Sequence, residues 1–121
     1  MDDEHKRSPE DLFAGFPAGL TICLAAREAI AGIGEASMTV TTSQVAFRRR
    51  RGFAYVWRPG QSIDSDVPAV LSIALSREVT SARIKEVAHP SAQVCMHHIE
   101  LHGAGELDAE VLGWPAEAYA N

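Results

Sequence analysis

Arg51-Gly52-Phe53-Ala54-Tyr55-Val56-Trp57-Arg58 is the stretch on which the fold turns. Phe53, Tyr55 and Trp57 recur at every second position, with Ala54 and Val56 between them. A period of two is the mark of a strand, whose successive side chains point to opposite faces. The face carrying the rings either packs into a core or stands open to a flat ligand, and the two outcomes belong to different folds. Short alternating aromatics in antiparallel sheets ordinarily pack inward. The expectation is therefore one core-facing stripe of Phe53, Tyr55 and Trp57.

The same period extends on both sides. Gln44 to Arg50 alternates, with Val45 and Phe47 on one face and Ala46, Arg48 and Arg50 on the other. Gly52 then marks a turn, so the two segments read as a hairpin. Upstream, Met38–Thr42 is β-branched and alternating. Downstream, Pro59-Gly60 closes the strand, Val70–Leu75 and Val94–Leu101 read as further strands, and Ile84–Val87 as a weaker one. The ends are helical. Ser8-Pro9-Glu10-Asp11 has a capping serine, a first-turn proline and acids at the positive end of the dipole. A longer helix runs from about Pro17 to Ala31, ended by Gly32 and Gly34. Beyond Gly103 and Gly105, Leu107, Val111, Trp114 and Ala118 keep helical spacing. Pro115 would cost an uninterrupted helix roughly 3 kcal/mol, so a kink or restart is expected at Trp114. Helices at both ends of a run of strands define an α+β fold. The sheet is expected to be mostly antiparallel, of four to five strands, packed with the N-terminal helices and a C-terminal helix. Residues 1–7 read as a frayed end and 8–121 as a single domain.

The 121 residues, 46% apolar and 22% charged, suffice for a core without metal or disulfide, since a chain of this size buries about two-thirds of its unfolded surface. The net charge of −5 argues against a generic polyanion binder. It is unevenly spread: residues 1–11 hold five acids and two bases, and residues 100–121 five acids and no base, leaving the middle mildly basic. Cys23 and Cys95 belong to no metal or redox spacing and read as free thiols of a reducing cytosol. The longest uncharged run, Leu12–Ala26, falls short of the about twenty residues a bilayer span needs. Glu10 and Asp11 stand where a signal peptide would carry bases. A cytoplasmic location without membrane association is expected.

Arg51–Arg58 also resembles the ribonucleoprotein octamer of the RNA-recognition motif, failing only at Arg58. In that setting alternate rings stack on bases while arginines hold phosphates. The motif requires a helix after this strand, however, and Val70–Leu75 has strand composition. Single-stranded nucleic-acid binding is accordingly the second reading.

Three segments resemble a bacterial family catalogued as a domain of unknown function, number fifty-six fifty-five. They are Ser43–Arg48 with Arg51-Gly52-Phe53-Ala54, Met96–Leu101, and Asp108-x-Glu110 with Trp114 and Glu117-Ala118-Tyr119. Leu12-Phe13-Ala14-Gly15 extends the resemblance over nearly the whole chain. It implies a small α+β domain, no known activity and no catalytic residue. Thr42 and Pro115 depart from the family pattern, which often has lysine and leucine there.

Each remaining candidate has a plain alternative. Arg48–Arg51 is either a phosphate-binding edge or a solvated hairpin turn, the latter favoured. His97 shares the more apolar face of its strand with Cys95, Ile99 and Leu101 and reads as a hydrogen-bonded core histidine. His98, Glu100 and His102 form a row at i, i+2, i+4 that could ligate a metal, but the row offers no fourth ligand. Asp64, Asp66, Lys85 and Glu86 hold the residue types of a nuclease site, yet Asp64-Ser-Asp66 has turn composition. No nucleophile elbow, P-loop or zinc-hydrolase motif occurs. The balance favours a non-enzymatic binding or accessory module with no cofactor or metal and an unknown ligand or protein partner. A metal-dependent hydrolase ranks third. The expected working surface comprises Arg48, Arg50, Tyr55, Trp57, Lys85 and His98.

Overall fold

A computed structural model describes residues 7–61 and 65–121. The chain opens with a single turn of helix, α1 (Pro9–Leu12), entered through Ser8 and Asp11 as a reciprocal capping box. Helix α2 (Pro17–Ile33) follows. Among the described residues six strands come next: β1 (Ser37–Val40), β2 (Val45–Arg48), β3 (Gly52–Trp57), β4 (Ala69–Leu75), β5 (Glu86–Ser91) and β6 (Val94–Leu101). Helix α3 (Ala109–Ala120) closes the described chain, its first turn capped by the Asp108 side chain on Val111 N–H.

All neighbouring strands are antiparallel, in the order β1-β2-β3-β4-β6-β5. The fold is α+β as expected, but the sheet has six strands rather than four to five. The weak segment at Ile84–Val87 proves to be the start of a full strand, obscured in sequence by His89-Pro90. Proline is tolerated there because β5 is an edge and needs to donate on one side only. Pro115 gives a second correction, to the expected restart alone. The helix does not restart at Trp114 but continues to Ala120, with Pro115 buried. Burial of Trp114, Pro115 and Ala118 against the sheet offsets the missing backbone bond.

The helices cover one face of the sheet. Leu71, Ile73, Ile99 and Leu101 from the sheet meet Ile22, Cys23 and Ile30 of α2 and Val111 and Trp114 of α3. Each fully buried side chain of this size contributes about 1.5–3 kcal/mol.

The hairpin of β2 and β3 is where the aromatic stripe departs from expectation. Phe47 pairs with Ala54 and Arg48 with Gly52, so Phe53 is one residue too many in its strand. Such a bulge re-aims a side chain. Phe53 turns to the helix-covered face and meets Tyr119 of α3 edge to face at 5.5 Å. Tyr55 and Trp57 keep the normal alternation and stand on the other face. The bulge thus splits Phe53, Tyr55 and Trp57, and only Phe53 lies in the core. The RNA-recognition topology is not present either, because residues 69–75 are strand and not helix.

Arg49 and Tyr119 fasten the hairpin to α3. The Arg49 guanidinium lies 4.4 Å over the Tyr119 ring and donates to its backbone carbonyl at 2.9 Å, while the Tyr119 hydroxyl donates to Glu35 C=O. Arg48, Arg50 and Arg51 are exposed around the turn.

Candidate functional site

The face of the sheet away from the helices carries Tyr55 and Trp57 from β3, Ser72 from β4, and Met96 and His98 from β6. These five, with Ser43 and Gln44 from the β1–β2 turn, line a hollow of about 440 Å³. Ala46 and Val70 sit directly opposite Tyr55 and Trp57 in the ladder. Both are buried, yet they stand outside the cluster packed beneath the helices. Gly52 completes the arrangement: a Cβ there would collide with the Tyr55 hydroxyl, so the glycine lets that ring lie along the strand.

A short hydrogen-bonded chain crosses three strands. Trp57 Nε1–H donates to Ser72 Oγ at 2.8 Å, and Ser72 Oγ lies 2.7 Å from His98 Nδ1. Indole nitrogen can only donate, so Ser72 accepts from Trp57. Ser72 is 3% exposed, and a buried hydroxyl needs a partner for its own proton. Nδ1 of His98 supplies it by accepting. A neutral His98 then carries its proton on Nε2, a donor with no partner among the described residues. Burial pushes the His98 imidazole below its ordinary value, against the pull of Glu86 directly across the ladder. The Trp57 and His98 rings meet edge to face at 5.9 Å.

Ser72 Oγ is nearly buried in mid-strand, where it accepts the Trp57 N–H and ties β3 to β6 through His98.

Of the six residues expected at the working surface, Tyr55, Trp57 and His98 come together. Arg48 and Arg50 belong to the hairpin end, and Lys85 lines a different hollow with Glu100, His102 and Glu106. Sequence reasoning missed Ser72, Met96, Ser43 and Gln44. The alternation within Val70–Leu75 was the available signal for Ser72, the one polar side chain in an otherwise apolar strand.

The other candidates separate. His97 is fully buried, with Nδ1 donating to Cys95 C=O at 2.9 Å and Nε2 accepting from Val79 N–H at 2.9 Å. It is the hydrogen-bonded core histidine expected, and it pins the segment between β4 and β5. The same segment is held to α3 by Arg83, which donates to Asp108 at 2.8 Å and to Glu106 C=O at 2.7 Å. The Arg83 bond, followed by that of Val111 N–H, holds the Asp108 carboxyl below its ordinary range. The row His98, Glu100, His102 is not gathered around one point: among the described residues no three such side chains are placed to share a metal ion. Asp64 lies outside the described residues. Asp66 lines a hollow with Arg58 and Gly19, away from Lys85. Cys23 and Cys95 are free thiols, and burial raises the Cys23 thiol to about 12. No described helix is long and apolar enough to cross a membrane.

The class defined by these features is a small α+β domain whose antiparallel sheet is helix-covered on one face and, among the described residues, open on the other. The family model described as Domain of unknown function (DUF5655) matches residues 10–121. The chain belongs to that family. No curated protein and no solved structure shows significant similarity to it.

Proposed function

We propose that this domain is a non-enzymatic binding module whose working surface is the helix-free face of the sheet. Its ligand is a planar nitrogen-containing ring, of nucleobase size, that offers an acceptor at its edge. The observation that carries this reading is the Trp57–Ser72–His98 chain beside Tyr55, which leaves the His98 Nε2–H unspent at a hollow of about 440 Å³. Hollows of about 300–1,000 Å³ with aromatic walls and a few placed polar groups are the usual form of small-molecule sites. Trp57 and Tyr55 offer ring surface, Met96 a soft apolar wall, and Gln44 both a donor and an acceptor.

A nucleic-acid chain is less well matched. The hollow is lined by no lysine or arginine, and Glu86 and Glu100 alternate onto the same face as His98, where they repel phosphate. The spacing of Tyr55 and Trp57 is that of two base-stacking positions of the octamer, which keeps single-stranded RNA as the competing outcome.

The test is an NMR titration with nucleosides, reading the Trp57 indole N–H. Saturable shifts confined to Tyr55, Trp57, Ser72, Met96 and His98, lost in Trp57→Leu, are expected. An oligonucleotide that binds far more tightly than the nucleoside, with strong salt dependence, would transfer the site to nucleic acid. No shift from any planar heterocycle at about 10 mM, where even fragment-sized ligands register, would refute the proposal.

A further inference from the structure

The two margins of the sheet are built differently. β5 carries Pro90, a register slip between Ala88 and Ser91, an exposed Glu86, and His89 3.2 Å from Glu78. Each of these discourages another strand from adding. β1 has no such device. Ser37-Met38-Thr39-Val40 contains no charge and no proline, and its register with β2 is unbroken.

The direction of its backbone groups follows from one bond. Thr41 N–H donates to Gln44 C=O at 2.9 Å. Antiparallel alternation then turns the N–H and C=O of Thr39 and Ser37 toward β2, and those of Met38 and Val40 outward. Beside this edge lies a hollow of about 450 Å³ whose apolar wall includes Ile30, Met38 and Phe47. Met38 is 37% exposed.

We propose that β1 pairs antiparallel with β1 of a second copy of this chain across a two-fold axis, joining two six-stranded sheets into one. A two-fold contact requires a surface complementary to itself. Any charge close to the axis would face its own copy, and the strand carries none. Arg27 and Glu35, one of each sign, are the charged groups lining the neighbouring hollow, so it presents no net charge to its counterpart. Met38 and Val40 lie on one face, so pairing brings the exposed methionines of both copies together over apolar surface that one copy alone leaves wet. Each strand supplies two outward donors and two outward acceptors. This contact does not depend on the ligand assigned to the helix-free face.

The contact is short, so a weak dimer is expected, with a dissociation constant on the order of 100 µM. Sedimentation velocity of the full chain should show a monomer at about 10 µM and mostly dimer at about 1 mM. Met38→Pro removes an outward N–H without touching any β1–β2 bond, and the variant should stay monomeric throughout. Met38→Lys places like charges near the axis and should raise the dissociation constant at least about tenfold, even if the proline variant fails to fold. A wild-type chain monomeric at about 1 mM overturns the proposal, as does a dimer that Met38→Lys leaves unchanged.

Discussion

The two faces of one sheet show how the same strands serve different ends. On the covered face, Val56, Leu71, Ile73, Ile99 and Leu101 are all but fully buried and packed by two helices. On the open face, the same strands present Tyr55, Trp57, Ser72, Met96 and His98, whose order comes from hydrogen bonds and ring contacts and not from a covering layer. Stability and recognition are divided between the faces by strand alternation itself. A residue's parity within its strand decides which it serves, except where the Phe53 bulge exchanges one ring between the faces.

The largest effects are expected on the covered face. Ile73→Ala should cost about 2–5 kcal/mol by urea unfolding, because the cavity lies under two helices, with ligand titration otherwise unchanged in the surviving folded fraction. A loss near zero would mean that the helices do not seal this face. Next, His97→Leu should cost about 1–3 kcal/mol, since it leaves the Val79 N–H and Cys95 C=O without their partner. Hydrogen exchange should quicken in the segment between β4 and β5, and equal protection there would show that the clamp is not what holds it.

On the open face the expected stability effects are smaller and the binding effects larger. Gly52→Ala should change stability by less than about 1 kcal/mol, because the obstructing Tyr55 hydroxyl ends a movable side chain. The Tyr55 ring must swing out of place, so nucleoside shifts in the NMR titration should weaken. If they persist unchanged, Tyr55 is not part of the site.

The smallest effect is the sharpest test of the His98 assignment. Burial makes folded His98 a weaker base than the unfolded imidazole with its value of 6.5. The unfolded chain therefore binds more protons below that value, and stability is complete above it and declines as pH falls. A His98→Gln variant should lose less stability than the wild type between about pH 7.5 and 5.5, by urea midpoints. Protonated Nδ1 would also become a donor and leave the Ser72 hydroxyl without an acceptor, so nucleoside affinity should fall as folded His98 itself protonates, at lower pH than the onset of the stability loss.

Much of the fold was legible because it rests on local rules. Ser8 with Asp11, Pro17 at a helix start, and the period of two in β2, β3, β4 and β6 each act within a few residues. The sixth strand was faint because β5 is an edge, where Pro90 is acceptable and little hydrophobic pattern is required. The site was half legible. Tyr55, Trp57 and His98 were named from residue type, but Arg48, Arg50 and Lys85 were joined to them by chemistry alone. Ser72 went unnoticed because a lone serine in an apolar strand has no meaning until its cross-strand neighbours are known.

By itself, then, the sequence determined the element types, the domain class and the identity of His97 as a core residue. All three follow from periodicity and from the cost of burying polar groups. Which face the rings occupy was decided only in three dimensions. One extra residue opposite Phe47 and Arg48 shifts the pairing, and that shift depends on how two strands meet, a relation that neither strand's own residues express.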